Sequence, residues 1–455
     1  MERNRRWATC RWGLALAVSL GATHRPAALG AQGPDSLDAV LRPGLSGVLR
    51  LGALYRELEA RSPQIRAARF AATAAEARIG PARRPPDPQI QFGLMNRDLP
   101  GFGLNDPLGM NQVQLMQMVP IAGKLGLAAQ AARAQADAAS HRAAEVAWEQ
   151  RARVAGVFYD LYRTEWSLVV ARDTRSLVRD LARTTEVMYR VGEGRQPDVL
   201  RAQVEVARMT EDIIRMDAMR EAQSAQLNAL LDRRAQVPTA IPLHPVYPES
   251  LPSIDSLLGL ALAQRPVLRA GERDLAAAAA AERRAGREIW PDLQVGLIYG
   301  QRGMPEGGTD RMMSFMLGAT IPIWAGSRQR AMRREASAMR AMAEADLTAM
   351  QAETRGRVVE LVAEINRARR LSQLYRATVL PQAGATSTSA LAAYRTGGVD
   401  FMTVLDARMS ENRYRTELIA LDADAGRALA ELEMLVASPL LDPESVDSSA
   451  VGGTQ

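Results

Sequence analysis

Cysteine is almost missing from this chain. The one cysteine, Cys10, precedes a short apolar run near the N-terminus, so a disulfide scaffold, a thiolate metal site and a cysteine nucleophile are excluded from everything after it. Lysine is equally scarce: Lys124 stands alone, and arginine carries nearly all the positive charge. Aromatic residues make up 5% against 47% hydrophobic, a balance that suits long Ala- and Leu-rich helices better than a β-sandwich. No unbroken apolar run reaches the roughly 18 residues of a membrane-spanning helix, so a membrane crossing, if there is one, is made by strands. Catalytic signatures are missing as well: there is no Gly-rich phosphate loop, no HExxH and no serine elbow, so no enzymatic activity is expected. His141 and His244 lie far apart and form no ligand motif, and neither a metal site nor a cofactor is expected.

The formal charge of +6 raises nucleic acid as a partner. Residues 1–31 hold five arginines (Arg3, Arg5, Arg6, Arg11, Arg25) against Glu2 and account for four of those six charges, which leaves no basis for such a partner. The same residues read as a signal peptide: a basic start, an apolar core from Trp12 to Ala22, and small residues Ala28, Gly30 and Ala31 before a cleavage point near Gln32. Cys10 lies ahead of the apolar core, not where a lipid-accepting cysteine belongs.

What is present is an alternation that turns into a helix. From Met313 to Ile321 the odd positions are apolar, while Ser314, Gly318 and Thr320 lie between them, the period-2 pattern of a strand with one greasy face. After Pro322-Ile323-Trp324-Ala325-Gly326 the chain reads as helix from Ser327 to Ala393, with Gly356 in its middle and Pro381 and Gly384 near its end. At 1.5 Å per residue such a helix is on the order of 100 Å long. Earlier, Leu51 to Arg83 reads as helix broken at Ser62-Pro63; Gln89–Asn96 and Gln112–Ile121 alternate as strands; a Gly/Pro/Asn loop covers 97–111; and a second long helix runs from Lys124 to about Arg190.

These landmarks recur. Ser62-Pro63 returns as Arg265-Pro266, Asp87-Pro88 as Trp290-Pro291, Val119-Pro120-Ile121 as Ile321-Pro322-Ile323, and Tyr189-Arg190-Val191-Gly192 as Tyr394-Arg395-Thr396-Gly397, always 202 to 205 residues later. Val199-Leu200 and Val404-Leu405 follow each tyrosine at the same distance. One structural unit is used twice: a lead-in over 32–50, a first repeat over 51–231, a Pro-rich surface linker over 232–252, a second repeat over 253–438 and a polar, disordered tail over 439–455. The expected class is mainly α with a transmembrane β-barrel segment, long helices plus four strands per chain. Strands of eight to ten residues suit a tilted crossing of about 9–11 residues. Four cannot close a barrel, and lipid tolerates no open edge, so the chain must oligomerise; three copies supply twelve strands. The face opposite lipid carries Gln91, Gln112, Gln114, Gln294, Ser314 and Thr320, a neutral polar lining for a water-filled lumen, together with Met116, Met118, Met312 and Met316. Those thioethers suit either a soft-metal route or adaptable packing. Trp148, Phe158, Tyr159, Tyr162 and Trp166 share spacings that place several on one helix face, where they pack against neighbouring helices.

The proline before each strand, the Pro-Ile exit into a very long helix, the Tyr-Arg-x-Gly turns and the duplication together resemble the TolC family of outer-membrane efflux proteins over about residues 50–440, nearest its resistance-nodulation-division branch. The resemblance implies a homotrimer with a barrel in the outer membrane and a helical tunnel across the periplasm. It implies docking on a periplasmic adaptor protein and an inner-membrane pump, and passive export of small molecules or metal ions. It also implies that the turns at Tyr189–Asp198 and Tyr394–Asp406, with Gly192 and Gly397 reversing the chain, close the tunnel and meet the adaptor. Asp406 falls on one of two acidic positions lining the family's periplasmic constriction, and Thr403 on the other. Asp198 falls on an acidic position of the first-repeat turn. The family's basic gating partner falls on Val399, and Asp400 is nearby but unmatched. Asp406 is then one of a ring of three carboxylates, or a solvated helix residue. Two other readings stay open: a type I protein-secretion channel, and a periplasmic coiled-coil scaffold without a pore, which calls for sustained heptads and no strands.

Overall fold

The computed structural model describes residues 48–95, 109–243, 247–248, 250–304 and 308–440. The expected signal peptide, nearly all of the lead-in, most of the first interstrand loop and the tail beyond 440 lie outside the described residues. The elements run β1 (Val48–Leu49), α1 (Leu51–Arg61), α2 (Pro63–Ala77), α3 (Ile79–Arg83), β2 (Gln89–Met95), β3 (Met110–Val119), α4 (Lys124–Arg190), α5 (Gln196–Leu230) and β4 (Ile241–Pro242). Then come α6 (Ile254–Gln264), α7 (Pro266–Arg287), β5 (Asp292–Gly303), β6 (Thr309–Thr320), α8 (Arg330–Leu374), α9 (Leu380–Arg395) and α10 (Phe401–Val436).

The four long strands form one antiparallel sheet in the order β2-β3-β5-β6, so the two hairpins meet at β3 and β5. They are 7, 10, 12 and 12 residues long rather than uniformly eight to ten. The expected strand Gln112–Ile121 sits two residues earlier, at Met110–Val119, and β6 likewise stops at Thr320. Pro120 and Pro322 have no N–H to give to a ladder, so hydrogen bonding ends before the hydrophobic alternation does.

The helices attached to these strands pack in the same order: α2 on α4, α4 on α7 and α7 on α8. Helix α4 is unbroken for 67 residues, about 100 Å at the α-helical rise. It begins after Gly123, whose φ of +73° lets the chain leave β3 and turn downward. The second long run is helical throughout, as expected, but it is not uniform. Wider π turns occupy Ala325–Gln329 and Tyr375–Val379, the second directly ahead of Pro381. The extra residue absorbs the missing donor and the ring that would otherwise strike the preceding turn. Beyond the sheet-side layer, α4 with α5 and α9 with α10 form two antiparallel hairpins, joined by α4 against α10.

The core lies midway along α4. Phe158, Tyr159, Leu161 and Leu168 are fully buried there, as are Leu54 and Leu58 of α1, Leu429 and Leu432 of α10, and Val358 and Leu361 of α8. Phe158 and Tyr159 meet edge to face with centroids 5.2 Å apart, and Trp166 donates its indole N–H to the Pro242 carbonyl at 3.3 Å. The expected aromatic packing on this helix is therefore what the fold uses. The end of the lead-in and part of the Pro-rich linker pair with each other: Val48–Leu49 runs parallel to Ile241–Pro242, with Leu49 fully buried. The linker is not merely superficial, because the Tyr247 hydroxyl donates to the Asp422 carbonyl and Arg369 donates to the Pro248 carbonyl at 2.9 Å. Prolines rule out a helix here, but they leave carbonyls free to accept bonds from the helical body.

Candidate functional site

Two places in this architecture carry the residues singled out by sequence: the sheet, and the turns at the far end of the helices.

Register assigns the faces of the sheet. Gln91 stands opposite Gln114, Gln114 opposite Ile298, and Ile298 opposite Ser314; Gln112 stands opposite Gly93, Gln294 opposite Met118, and Thr320 opposite Asp292. Cross-strand partners share a face, so all six expected lining residues come together on one side. Met110, Met116, Met118, Met312 and Met316 lie on that side too. Two of them have local contacts: the Met116 sulfur accepts from Gln114 Nε2 at 2.6 Å, and the Met316 side chain lies over Gly296. The opposite face carries Ile90, Phe92, Leu94, Val113, Leu115, Leu297, Tyr299, Met313, Phe315 and Leu317, all exposed, with Phe92 at 81% and Met313 at 72%. An apolar sheet face of this extent left open to solvent marks an interface with protein or lipid. The outer edges of β2 and β6 have no strand partner among the described residues. No helix of the described residues is long and apolar enough to cross a membrane, and no group of three or more His, Cys, Asp or Glu among them could hold a metal ion.

A residue missed by sequence reasoning fixes the sheet to the helices. Lys124, the single lysine, is buried at the first turn of α4. Its ammonium group donates to the Trp290 carbonyl and to Asp292 Oδ1, both at 2.9 Å, and lies 3.5 Å from Glu288. It thus ties the start of the first long helix to the start of β5, across the two halves of the chain. Its position immediately after the strand-ending Pro-Ile-Ala-Gly was the available signal.

At the far end, Gly192 and Gly397 adopt φ of +85° and +74°, the left-handed region that reverses each helix hairpin. Gly194 is required as well, since a Cβ there would sit 2.7 Å from the Tyr189 nitrogen. The two turns, equivalent by sequence, differ in packing. Tyr394 is buried against Phe401, with centroids 6.2 Å apart, in a cluster with Val178, Leu181, Ala202, Val404 and Leu405; Tyr189 is 45% exposed. Burial, and then the carboxylate of Asp198, raise the Tyr394 phenol above its ordinary value. Asp198 therefore lies in the first turn of α5 within electrostatic reach of the second-repeat tyrosine. Asp400 is the N-cap of α10: it accepts from the Thr403 hydroxyl and, at 2.9 Å, from the Thr403 amide. The Thr403 hydroxyl bond foremost, then the amide and the more distant Arg195, hold the Asp400 carboxyl below its ordinary range. Arg195, which sequence reasoning passed over, thus adds its charge from the first turn to the field at the second. Thr403 is committed to this cap. Asp406, one helical turn on, is exposed and has no side-chain partner among the described residues.

A model of the outer membrane efflux protein family matches residues 54–233 and 257–438. The chain belongs to this family. Among solved structures, this outer membrane efflux protein is similar to CusC, at 17% identity and a TM-score of 0.74, with 86% of this chain and 92% of that one covered. It is also similar to the outer membrane protein VceC of Vibrio cholerae (17% identity, TM-score 0.70, covering 86% and 96%). A third likeness is to the open state of the MtrE outer membrane channel of Neisseria gonorrhoeae (18% identity, TM-score 0.68, covering 86% and 90%). These likenesses extend over nearly the whole length of each relative and show the shared fold. No curated protein sequence matches the chain.

Proposed function

We propose that this protein is the outer-membrane channel of a tripartite efflux system, a passive exit duct for small molecules or metal ions. Three copies close their sheets into a twelve-stranded barrel, β6 of each pairing with β2 of the next. The face bearing Gln91, Gln112, Gln114, Gln294, Ser314 and Thr320 lines water; the face bearing Phe92, Met313 and Phe315 meets lipid. The long helices continue the duct through the periplasm, and their turns meet a periplasmic adaptor protein coupled to an inner-membrane pump, which supplies the energy.

The observation that carries this reading is the sheet itself. It has one face of glutamines, hydroxyls and methionines, one exposed apolar face and two edges without a strand partner among the described residues, a combination unstable in water and intolerable in lipid unless the sheet closes on copies of itself. A scaffold without a pore has no use for such a sheet. At the periplasmic end, Asp406 projects from α10 without a partner among the described residues, and threefold symmetry makes it a ring of three carboxylates that favours cations at the narrow mouth. Asp198 and Asp400 sit beside it, the latter holding the turn in shape through Thr403. Gly192, Gly397, Tyr189 and Tyr394 shape the surface offered to the adaptor.

Fractionation tests the reading. The protein should be recovered from the outer membrane as a trimer that resists detergent until heated and that conducts ions in planar bilayers. Recovery as a soluble monomer would refute it.

A further inference from the structure

The start of α8 carries three arginines without an ion-pair partner among the described residues. Ser327, Arg330, Arg333, Arg334 and Ser337 line a groove of about 690 Å³ together with Glu282 of α7. Among the described residues none of the three arginines has a carboxylate within ion-pair distance, and Glu282, the one acid of the groove, is held by Arg340 at 3.1 Å. Uncompensated guanidinium groups converging on a groove are a receptor for an anion, and arginine's planar fork matches phosphate in particular.

Position narrows the choice of anion. The groove begins six residues after the end of β6. Between them lie Ile321, Ile323 and Trp324, exposed at 72%, 75% and 68%. Aliphatic residues followed by a tryptophan, at the end of a strand with a greasy face, mark the boundary between hydrocarbon and headgroups. The arginines also face the right way. On α8, Met332, Glu335, Ala336 and Met339 line a different groove, of about 1180 Å³, on the side shared with α3, α4 and α7. At about 100° per residue, Arg330, Arg333, Arg334 and Ser337 fall on the opposite side of α8. They point away from the duct, just below the lipid-facing band.

We infer that this groove between α7 and α8 binds the phosphate of an anionic phospholipid, with the acyl chains rising past Trp324 and Ile323 along the apolar face of the sheet. The arginines contribute charge and a bidentate fork, and Ser327 and Ser337 contribute hydroxyl donors. The inference rests on the reading that the sheet lies in a membrane.

The test uses the full-length protein reconstituted into liposomes of phosphatidylcholine doped with phosphatidylglycerol, then gently extracted and examined for retained lipid by native mass spectrometry. The protein should retain phosphatidylglycerol in preference to phosphatidylcholine. Replacing Arg330, Arg333 and Arg334 together by Gln, which keeps helix propensity, should lower that retention by about tenfold or more. The same replacement at Arg179, Arg201 and Arg208, exposed on the distal helices, should leave it unchanged. Equal retention by the two triple variants, equal retention of both lipids, or displacement of the lipid by inorganic phosphate would each overturn the inference. Failure of the unaltered protein to insert at all would sink the membrane reading instead, and this inference with it.

Discussion

Gly426 of α10 faces the ring of Tyr159 in the middle of the molecule, where α4 and α10 join the two halves of the chain. A Cβ at this glycine would lie 2.2 Å from two ring carbons, Cε1 and Cζ, so the ring would have to retreat by about 1.2 Å to regain the 3.4 Å of ordinary contact. Tyr159 is fully buried, and its ring meets the fully buried Phe158 edge to face. Overpacking a core by one methyl group costs about 1–3 kcal/mol; against a rigid, fully buried ring the upper end, about 3 kcal/mol, is expected for Gly426→Ala. At roughly 2.1 cal/mol/K of unfolding entropy per residue, a chain of 455 residues turns that into a fall of about 3 °C in the apparent melting temperature, read at one fixed scan rate because large proteins commonly unfold irreversibly. Shortening the opposing side chain supplies the control. Tyr159→Leu alone should destabilise by leaving a void, but combined with Gly426→Ala it should cost less than the sum, with a coupling of about 1–2 kcal/mol. An alanine tolerated at 426 without change in melting temperature, or strict additivity in the double variant, would refute the close approach on which this junction depends.

Lys124→Met should loosen the junction between helix and sheet. Breaking a buried ion pair costs about 3–5 kcal/mol, but Asp292 and Glu288 are each about a quarter exposed and can recover water, so about 1–3 kcal/mol is expected, seen as earlier thermal loss of strand signal in circular dichroism. Asp400, whose folded-state carboxyl titrates below its ordinary value, stabilises the start of α10 at neutral pH. That contribution is present above the ordinary aspartate pKa of about 3.9 and fades as pH falls through the lower folded value. The protection of the Thr403 amide, its exchange relative to an unstructured amide at the same pH, should therefore be present at pH 5 and fall in strong acid, whereas Asp400→Ala should show little protection at either pH; no difference between the variant and the parent at pH 5 would remove the cap. Asp406→Ala, with no folded partner to lose, should leave stability unchanged while lowering cation preference in bilayer recordings, and an unaltered ion selectivity would return Asp406 to a plain solvated position.

Much of this was legible because each element announces itself with its own period. Helix α4 could be bounded from Lys124 to Arg190 because Gly123 and Gly192 flank it and nothing inside breaks it. The six polar residues of the sheet could be put on one face before any register was known, because alternation alone sets the side on which a strand residue lies. What stayed hidden needed partners distant in sequence. The pairing of Val48–Leu49 with Ile241–Pro242 is two residues long and buried by its surroundings rather than by its own pattern. The burial of Tyr394 against Phe401, and the exposure of Tyr189, follow from which helix lies across each turn; the duplicated motif is silent on that. Asp400 looked like a stray acid near an aperture and proved to be a helix cap, which the Asp-x-x-Thr spacing could have suggested. Lys124 passed as one more residue at a helix start until Trp290, Asp292 and Glu288 were seen around it.

The claim at the centre of the account is that each chain is an unfinished wall whose outer strands pair with those of its copies. Within one chain, β2 and β6 are separated by β3 and β5, so their backbones stand about 14 Å apart, beyond the roughly 7 Å limit for a disulfide. Cys10→Ser gives a cysteine-free background. In it, Gln91→Cys on β2 can be combined in turn with Met312→Cys, Ser314→Cys, Met316→Cys or Gly318→Cys on β6, and the protein oxidised in outer-membrane fractions. The account predicts that at least one combination yields disulfide-linked dimers and trimers on denaturing gels, which reducing agent returns to monomers. Monomers alone across the whole series would contradict it.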